Sequence, residues 1–177
     1  GRTGILASGN VSNLRILNNQ IGALPNPPYV KGSNQYGIML DQGIHGVIVN
    51  GNTIAHSDSH GILIQGGANA NAITGNRITD NGGDGVRISG AGSNRNLLSR
   101  NVITGNAGKG IALANGGNNG VSAPLITNIS PGSRAISGSI DPVPPAGTQV
   151  EVYADRADEG ESLLGVSPVF GNNFSIS

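Results

Sequence analysis

Residues 61–110 contain one pattern written twice, and this repetition decides the fold. The two copies are Gly61-Ile-Leu-Ile-Gln…Ile73-Thr-Gly-Asn76-Arg-Ile-Thr-Asp-Asn81-Gly-Gly-Asp84 and Gly85-Val-Arg-Ile-Ser…Leu98-Ser-Arg-Asn101-Val-Ile-Thr-Gly-Asn106-Ala-Gly-Lys109. Gly61 and Gly85 are 24 residues apart, and Asn76 and Asn101 are 25 apart. Self-similarity at a fixed spacing of this length indicates a repeat architecture.

Each copy holds short apolar pieces separated by Gly, Asn, Ser and Asp. The pieces alternate apolar and polar side chains over three or four residues, so they predict strands rather than helices. A coil of three such strands cannot bury its own apolar side chains and needs neighbours above and below. Stacking predicts four interior columns: Ile38, Ile62, Val86 and Ile111; Leu40, Ile64, Ile88 and Leu113; Val49, Ile73 and Leu98; and Ile54, Ile78 and Ile103.

Asn52, Asn76 and Asn101 occupy the same corner of three successive coils. An inward-pointing asparagine at a corner can hydrogen-bond the coils above and below it, and asparagine tolerates the left-handed backbone that tight corners use. A buried amide without partners would cost about 1–3 kcal/mol. We therefore predict that these three residues form a structural ladder.

The pattern G-I-x-[IL]…N-x-I-x-x-N resembles the right-handed parallel β-helix repeats of the pectate-lyase-like superfamily. The resemblance extends over roughly residues 1–120 and implies an all-β solenoid of four to five coils with about 24 residues each. The superfamily includes polysaccharide lyases, glycosidases, uronate epimerases, phage tailspikes, adhesins and structural surface proteins. The resemblance therefore implies a fold and leaves the function open.

Changes in composition predict three regions. Residues 1–115 form the β-helix, residues 116–123 a Gly/Asn-rich linker, and residues 124–177 a small antiparallel β-sandwich-like module. An insertion at 22–35 lengthens the distance between the first and second aligned coils by about nine residues. Insertions in solenoids often form loops on the binding face. Both ends of the chain look cut, so we expect a piece of a longer protein in which the module is truncated.

The C-terminal region resembles the immunoglobulin-like β modules that follow β-helix arrays in bacterial extracellular proteins. The resemblance rests on the strings Ala123-Pro-Leu-Ile-Thr, Gly147-Thr-Gln-Val-Glu-Val-Tyr and Leu163-Leu-Gly. It implies an extracellular or cell-surface location in a bacterium or archaeon. The expected partners are neighbouring copies or adjacent domains of the same protein, with a polysaccharide as a further expected partner.

Composition excludes several classes of protein. Residues 1–120 carry eight basic and four acidic side chains, and residues 121–177 carry two basic and six acidic ones. This imbalance is too mild for a nucleic-acid-binding protein. No apolar run is long enough to span a membrane. Cysteine and tryptophan are absent, which argues against disulfides and weakens the case for a large sugar-stacking platform.

One corner of the solenoid gathers the side chains that could carry chemistry. Aligning the coils places His56 beside Asp80, and His60 beside Asp84 and Lys109. Adjacent coils lie about 4.8 Å apart, so these groups can touch. A carboxylate beside a histidine or lysine can form a general base, and we take these five residues as catalytic candidates. The alternative is a set of solvated surface charges.

Other residues predict binding. Tyr29 and Lys31 in the insertion and Arg87 on an outward strand position are candidates for ligand contact. Arg87 is a lone cation among the outward positions, and no pair of acids is spaced for glycoside hydrolysis. An oxygen-rich segment is a candidate calcium site, with a solvated turn as the alternative. Its members are Asp155, Asp158, Glu159 and Glu161. We predict no other cofactor.

Two functions from different classes remain open. The first is a non-catalytic extracellular structural protein, in which the β-helix is a rigid spacer or self-assembling fibre unit and the module docks it. The few aromatic residues and the scarcity of outward-facing acids favour it, and exposed strand edges would allow coils to stack end to end. The alternative is a polysaccharide-active enzyme, a uronate lyase or epimerase, or a glycan-binding protein of tailspike type.

Overall fold

Three parallel sheets wind along one axis in the N-terminal part of the chain. The computed structural model describes residues 2–22, 34–144, 146–154 and 160–177. Contacts divide the chain into two units, Gly1–Gly120 with Asp155–Ser162 and Val121–Ala154 with Leu163–Ser177. Some predicted site residues lie outside the described residues: Tyr29, Lys31, Asp155, Asp158 and Glu159.

Sheet 1 has five strands, and sheets 2 and 3 have four each. Sheet 1 contains β1 (Thr3–Ser8), β4 (Tyr36–Asp41), β7 (Ile62–Ile64), β10 (Val86–Ser89) and β13 (Ile111–Ala114). Sheet 2 contains β2 (Arg15–Leu17), β5 (Ile48–Asn50), β8 (Ala72–Thr74) and β11 (Leu97–Ser99). Sheet 3 contains β3 (Gln20–Ile21), β6 (Thr53–Ala55), β9 (Arg77–Thr79) and β12 (Val102–Thr104). Four coils are complete in strands, and β13 begins a fifth.

Strand register confirms the alignment of the predicted columns, but their last members, Ile111 and Leu113, are exposed at 48% and 37% because β13 has no further coil stacked on it. Ile62 lies between Ile38 and Val86, and Ile73 lies between Val49 and Leu98. The central members of each column are fully buried, with Ile38, Ile62 and Val86 each at 0% exposure. Burying one such side chain contributes about 1.5–3 kcal/mol. The stacked columns therefore form one continuous core along the helix axis.

A column of glycines precedes the strands of sheet 1 because no side chain fits there. A Cβ on Gly61 would lie 2.7 Å from the Gly85 carbonyl oxygen and 2.6 Å from Cγ2 of Ile78. Gly37 and Gly85 meet the same pair of obstacles in their own coils. None of these glycines has a positive φ, so backbone conformation does not require them. Close packing between coils explains why glycine recurs at this position.

The aligned asparagines form a buried ladder between sheets 2 and 3. Asn52 donates from its backbone N–H and its side-chain Nδ2 to Oδ1 of Asn76, both at 3.0 Å. Asn76 repeats this pair of bonds to Oδ1 of Asn101, again at 3.0 Å. Each amide also donates to a carbonyl of the preceding coil, as Asn76 does to Val49 at 2.9 Å. Every coil is thus tied to the next through side-chain amides.

A second asparagine ladder, which includes Asn96 and Asn118, extends beyond residues 1–115, the region predicted as β-helix. The Asn96 backbone N–H donates to Oδ1 of Asn118 at 2.9 Å, and Asn118 donates to the Ser93 carbonyl at 2.8 Å. Asn118 lies in a short 3-10 turn, Gly117–Gly120, where Gly117 is buried. Composition predicts a linker at 116–123. Through Gly120, these residues instead continue the coil and cover the end of the ladder.

The second unit is built from antiparallel strands. β14 (Leu125–Ser130), β15 (Ala135–Ser139) and β18 (Asn173–Ile176) form a three-stranded sheet. β16 (Gln149–Ala154) pairs with β17 (Ser162–Pro168). Ile140, Val150, Val152 and Phe174 form its small core. Five described strands are fewer than the seven of an immunoglobulin domain, so the structure supports an antiparallel β module and leaves the immunoglobulin-like assignment a prediction.

Within the described parts of the chain, no helix has the length and hydrophobicity needed to cross a membrane.

Candidate functional site

A column of polar side chains lies directly before the glycine column of sheet 1. Each member precedes one of the column glycines: Tyr36, His60, Asp84 and Lys109. The glycines allow the coils to approach closely, so the residues before them come into contact. The rings of Tyr36 and His60 are stacked, with centroids 5.9 Å apart and an interplanar angle of 18°. Tyr36 is not among the residues predicted from sequence, although its position directly before Gly37 matches that of His60 before Gly61.

Asp84 is the centre of this column. Its Oδ1 accepts the backbone N–H of Lys109 at 3.0 Å, and its Oδ2 accepts a guanidinium N–H of Arg87 at 2.9 Å. Arg87 therefore does not stand alone, as its outward position suggested. Lys109 contacts the Asp84 carboxylate through its backbone N–H. The alignment of the coils had instead indicated a contact through the Lys109 ammonium group. The Asp84 side chain is 11% exposed and that of Arg87 is 35% exposed, so the ion pair lies at the protein surface and is partly accessible to solvent.

The backbone of Asp84 determines the state of the His60 ring. The Asp84 N–H donates to Nδ1 of His60 at 2.9 Å, so Nδ1 is an acceptor. A neutral imidazole with an unprotonated Nδ1 carries its proton on Nε2. Nδ1 also lies 3.5 Å from Oδ2 of Asp84. That approach is not an ion pair in this state, because neither atom carries a proton. His60 is consequently a hydrogen-bond donor through Nε2.

Burial and charge keep His60 neutral. Burial is the largest effect and lowers the pKa of His60 below its ordinary value of 6.5. The Asp84 carboxylate opposes this shift, and the Arg87 guanidinium adds to it. The neutral form also agrees with the bond from the Asp84 N–H, which a protonated Nδ1 could not accept.

The surroundings keep Asp84 ionised. Burial alone would raise the pKa of Asp84. The hydrogen bonds from the Lys109 N–H and the Arg87 guanidinium outweigh burial, and the net shift places the pKa of Asp84 below its ordinary value of 3.8. A carboxyl group with a lowered pKa is a weak base near neutral pH. Asp84 therefore acts as an anchor for Arg87 rather than as a proton acceptor.

Arg87 lies on the outer face of sheet 1. It pairs in register with Leu63 and Ala112, and the residues on either side of it, Val86 and Ile88, point into the core. Along the next outward row, Nε2 of Gln65 donates to Oδ2 of Asp41 at 3.3 Å. Leu63 and Ala112 are buried, at 4% and 8% exposure, so Arg87, whose side chain is 35% exposed, is more accessible than either of its register partners.

The remaining catalytic candidates lie earlier in the same connections between sheet 3 and sheet 1. His56 and Asp80 directly follow the paired Ala55 and Thr79 in adjacent coils, and both adopt left-handed backbone, with φ of 56° and 55°. Asp80 accepts the Thr79 hydroxyl at 2.7 Å. They precede the His60 and Asp84 column by four residues in their coils.

No group of three or more His, Asp or Glu side chains within the described ranges could hold a metal ion. Of the calcium candidates only Glu161 is described, and it is exposed. The calcium prediction rests on residues outside the description and stays a prediction. The same holds for contact by Tyr29 and Lys31 with a ligand.

A sequence profile of the right-handed β-helix region family matches residues 1–126, which is most of the chain. The chain belongs to this right-handed β-helix family. Membership agrees with the three parallel sheets and their stacked columns. No curated protein matches the chain.

Two solved structures resemble this β-helix chain, and both are of the periplasmic alginate epimerase AlgG. A double mutant matches with a TM-score of 0.54 and 27% identity, over 64% of this chain and 24% of that one. A single mutant matches with a TM-score of 0.54 and 27% identity, over 63% and 24%. This chain therefore spans about a quarter of the length of those structures.

Proposed function

We propose that this right-handed β-helix binds an acidic, uronate-type polysaccharide on the outer face of sheet 1. The observation that carries the proposal is the arrangement of Arg87 and His60 around Asp84. Asp84 holds the guanidinium at 2.9 Å and fixes the imidazole with its proton on Nε2. A cation and a neutral N–H donor next to each other suit a sugar that carries a carboxylate and hydroxyls.

The charge of the solenoid favours an anionic ligand. Residues 1–120 carry eight basic and four acidic side chains, a difference of four positive charges. A surface of net positive charge attracts polyanions and raises their association rate, and salt weakens the attraction. The acid-rich residues 121–177 would not add to this attraction, so the β-helix is the part that supports the proposal.

The comparisons support polysaccharide chemistry over the spacer or fibre function. The similar structures are of an enzyme that acts on alginate in the periplasm. By that similarity we also infer that this protein is exported. The covered share is about a quarter of AlgG, so its activity is not transferred whole. Epimerisation or lyase cleavage of uronates is nevertheless the second candidate function, since this similarity favours it.

The geometry supports binding more than turnover at this column. Both uronate reactions begin by removing a proton from the carbon next to the carboxylate, which requires a base. Nδ1 of His60 already accepts an N–H, and its Nε2 carries the proton. The lowered pKa of Asp84 makes it a poor base. The column therefore supplies a cation and a donor, while the proton acceptor would have to come from elsewhere.

Calorimetric titration of the chain with a mannuronate hexasaccharide tests the proposal. We expect saturable binding that weakens with added salt, and loss of one charged hydrogen bond in Arg87→Gln should weaken it about tenfold or more. Arg95→Gln is the matched control, because Arg95 is an exposed arginine on another side of the same coil. Equal affinity of Arg87→Gln and wild type would refute the site. Formation of epimerised or unsaturated product in the same tube would establish the enzyme function instead.

A further inference from the structure

A groove of about 410 Å³ lies within the second unit. Residues of β15, β17 and β18 line it, together with the hairpin that joins the last two strands. Nothing in the sequence analysis assigned a role to this hairpin. The groove is partly open to solvent, so its lining is accessible to a ligand.

The hairpin holds one aromatic ring out in the solvent. Phe170 is 76% exposed, and it is part of the groove lining. Its backbone N–H donates to the Asn173 carbonyl at 2.9 Å, and the Asn173 N–H donates back at 3.1 Å. Gly171 supplies the positive φ, 63°, that this tight turn needs. The ring is therefore held by a well-defined turn. Because the backbone is already ordered, binding would cost little backbone conformational entropy.

Three polar side chains of the same groove bond no side chain or backbone group in the described part of the chain. The Asn173 amide and the Ser137 and Ser175 hydroxyls make no side-chain hydrogen bond to any residue that the structure describes, and all three line the groove. Ser137 and Ser175 are cross-strand partners, so they face the same side of the sheet. The neighbouring Ser167 is buried, and it accepts the Ser175 N–H at 3.1 Å. An amide and two hydroxyls are thus free to bond a ligand.

The described lining carries no charged side chain. A phosphate or uronate would find no counter-charge there, and a purely apolar ligand would leave the amide and hydroxyls without partners, which costs free energy. A neutral sugar has an apolar C–H face for an aromatic ring and hydroxyls for amide and hydroxyl groups. We propose that this groove binds a neutral saccharide unit, with Phe170 against its C–H face and Asn173, Ser137 and Ser175 bonded to its hydroxyls.

Saturation-transfer NMR of the whole chain with cellohexaose, laminarihexaose and mannohexaose tests this site. At least one of these neutral hexasaccharides should receive saturation from the Phe170 ring protons. Phe170→Ala should lower its affinity about fivefold or more. Because Phe170 is mostly exposed, the variant should keep the wild-type circular dichroism spectrum.

Two control variants separate this site from other surfaces. Leu164→Ala removes another exposed apolar side chain of the same unit and should leave the affinity unchanged. Arg87→Gln should also leave it unchanged, so the β-helix site and this groove can fail independently. Absence of binding by all three hexasaccharides, or equal affinity of Phe170→Ala and wild type, would overturn the proposal.

Discussion

The backbone N–H of Asp84 donates to Nδ1 of His60 at 2.9 Å, and this single bond assigns the imidazole its role. It leaves the proton on Nε2 and turns a candidate base into a donor. The same residue anchors Arg87 through its carboxylate at 2.9 Å. One aspartate thus organises both groups that the outer face offers to an anionic sugar.

Stability should fall on mild acidification because His60 is neutral in the folded state. Its folded pKa lies below the ordinary 6.5, so its contribution is complete above pH 6.5 and is lost as pH falls through the folded pKa. Asp84, whose pKa is also lowered, loses its contribution only in more acidic solution, below pH 3.8. Urea unfolding at pH 7 and pH 5 should therefore show a smaller loss for His60→Gln than for wild type. An equal loss in both proteins would contradict the neutral, buried histidine.

Asn76→Ala should be strongly destabilising. It removes the acceptor of two Asn52 bonds and a donor to the Val49 carbonyl, all within the core. Each buried group left without a partner costs about 1–3 kcal/mol, so a loss of more than about 2 kcal/mol in the free energy of unfolding is expected. Asn94→Ala is the control, since its side-chain bond to the Ala91 carbonyl is exposed. If both variants lose a similar amount of unfolding free energy, the buried ladder stabilises the chain no more than an exposed hydrogen bond does.

Gly61→Ala should destabilise the solenoid by a steric route. The new Cβ would lie 2.7 Å from the Gly85 oxygen and 2.6 Å from Cγ2 of Ile78, in a packed interior. Overpacking of this kind costs about 1–3 kcal/mol. Gly132→Ala introduces the same methyl group where nothing lies within 4 Å, and it should be nearly neutral. Thermal unfolding of the two variants measures the difference, and a tolerated Gly61→Ala would disprove the close-packing account of the repeat.

Ser57→Asn should stabilise the chain. Ser57 takes the place in its coil that Asn81 and Asn106 take in theirs, since its N–H donates to Oδ1 of Asn81 and the Asn81 N–H to Oδ1 of Asn106. Its buried Oγ has no hydrogen-bond partner among the described residues. An asparagine there would extend the ladder, for a gain of about 1 kcal/mol. A lower urea midpoint for Ser57→Asn would mean that this coil cannot accept the larger amide.

Periodicity made the interior of the β-helix predictable from sequence. Ile62, Ile73 and Ile78 recur one coil later with the same spacing, and a parallel coil has few ways to bury such a set. The ladder at Asn76 follows from the same alignment. These features depend on local repetition, which a single sequence displays.

The chemistry of the site was harder to predict, because it depends on backbone atoms. The bond that fixes His60 comes from the N–H of Asp84, and that of Lys109 reaches Asp84 in the same way. From the side-chain types alone, His60 is expected to act as a base and Lys109 to contact Asp84 through its ammonium group. Tyr36 was missed because its own coil begins beside the insertion, where the spacing of the repeat is interrupted. Asn118 was missed because a Gly/Asn-rich stretch has the composition of a linker.

The central claim is that Arg87 and His60 together receive a uronate, and NMR titration of the nitrogen-labelled chain with mannuronate hexasaccharide tests it most directly. We expect saturable shifts of the Arg87 Nε and His60 Nε2 signals, with Nε2 protonated before and after addition, and no such shifts with mannohexaose. Binding that leaves both signals unmoved, or a His60 ring found with its proton on Nδ1, would contradict it.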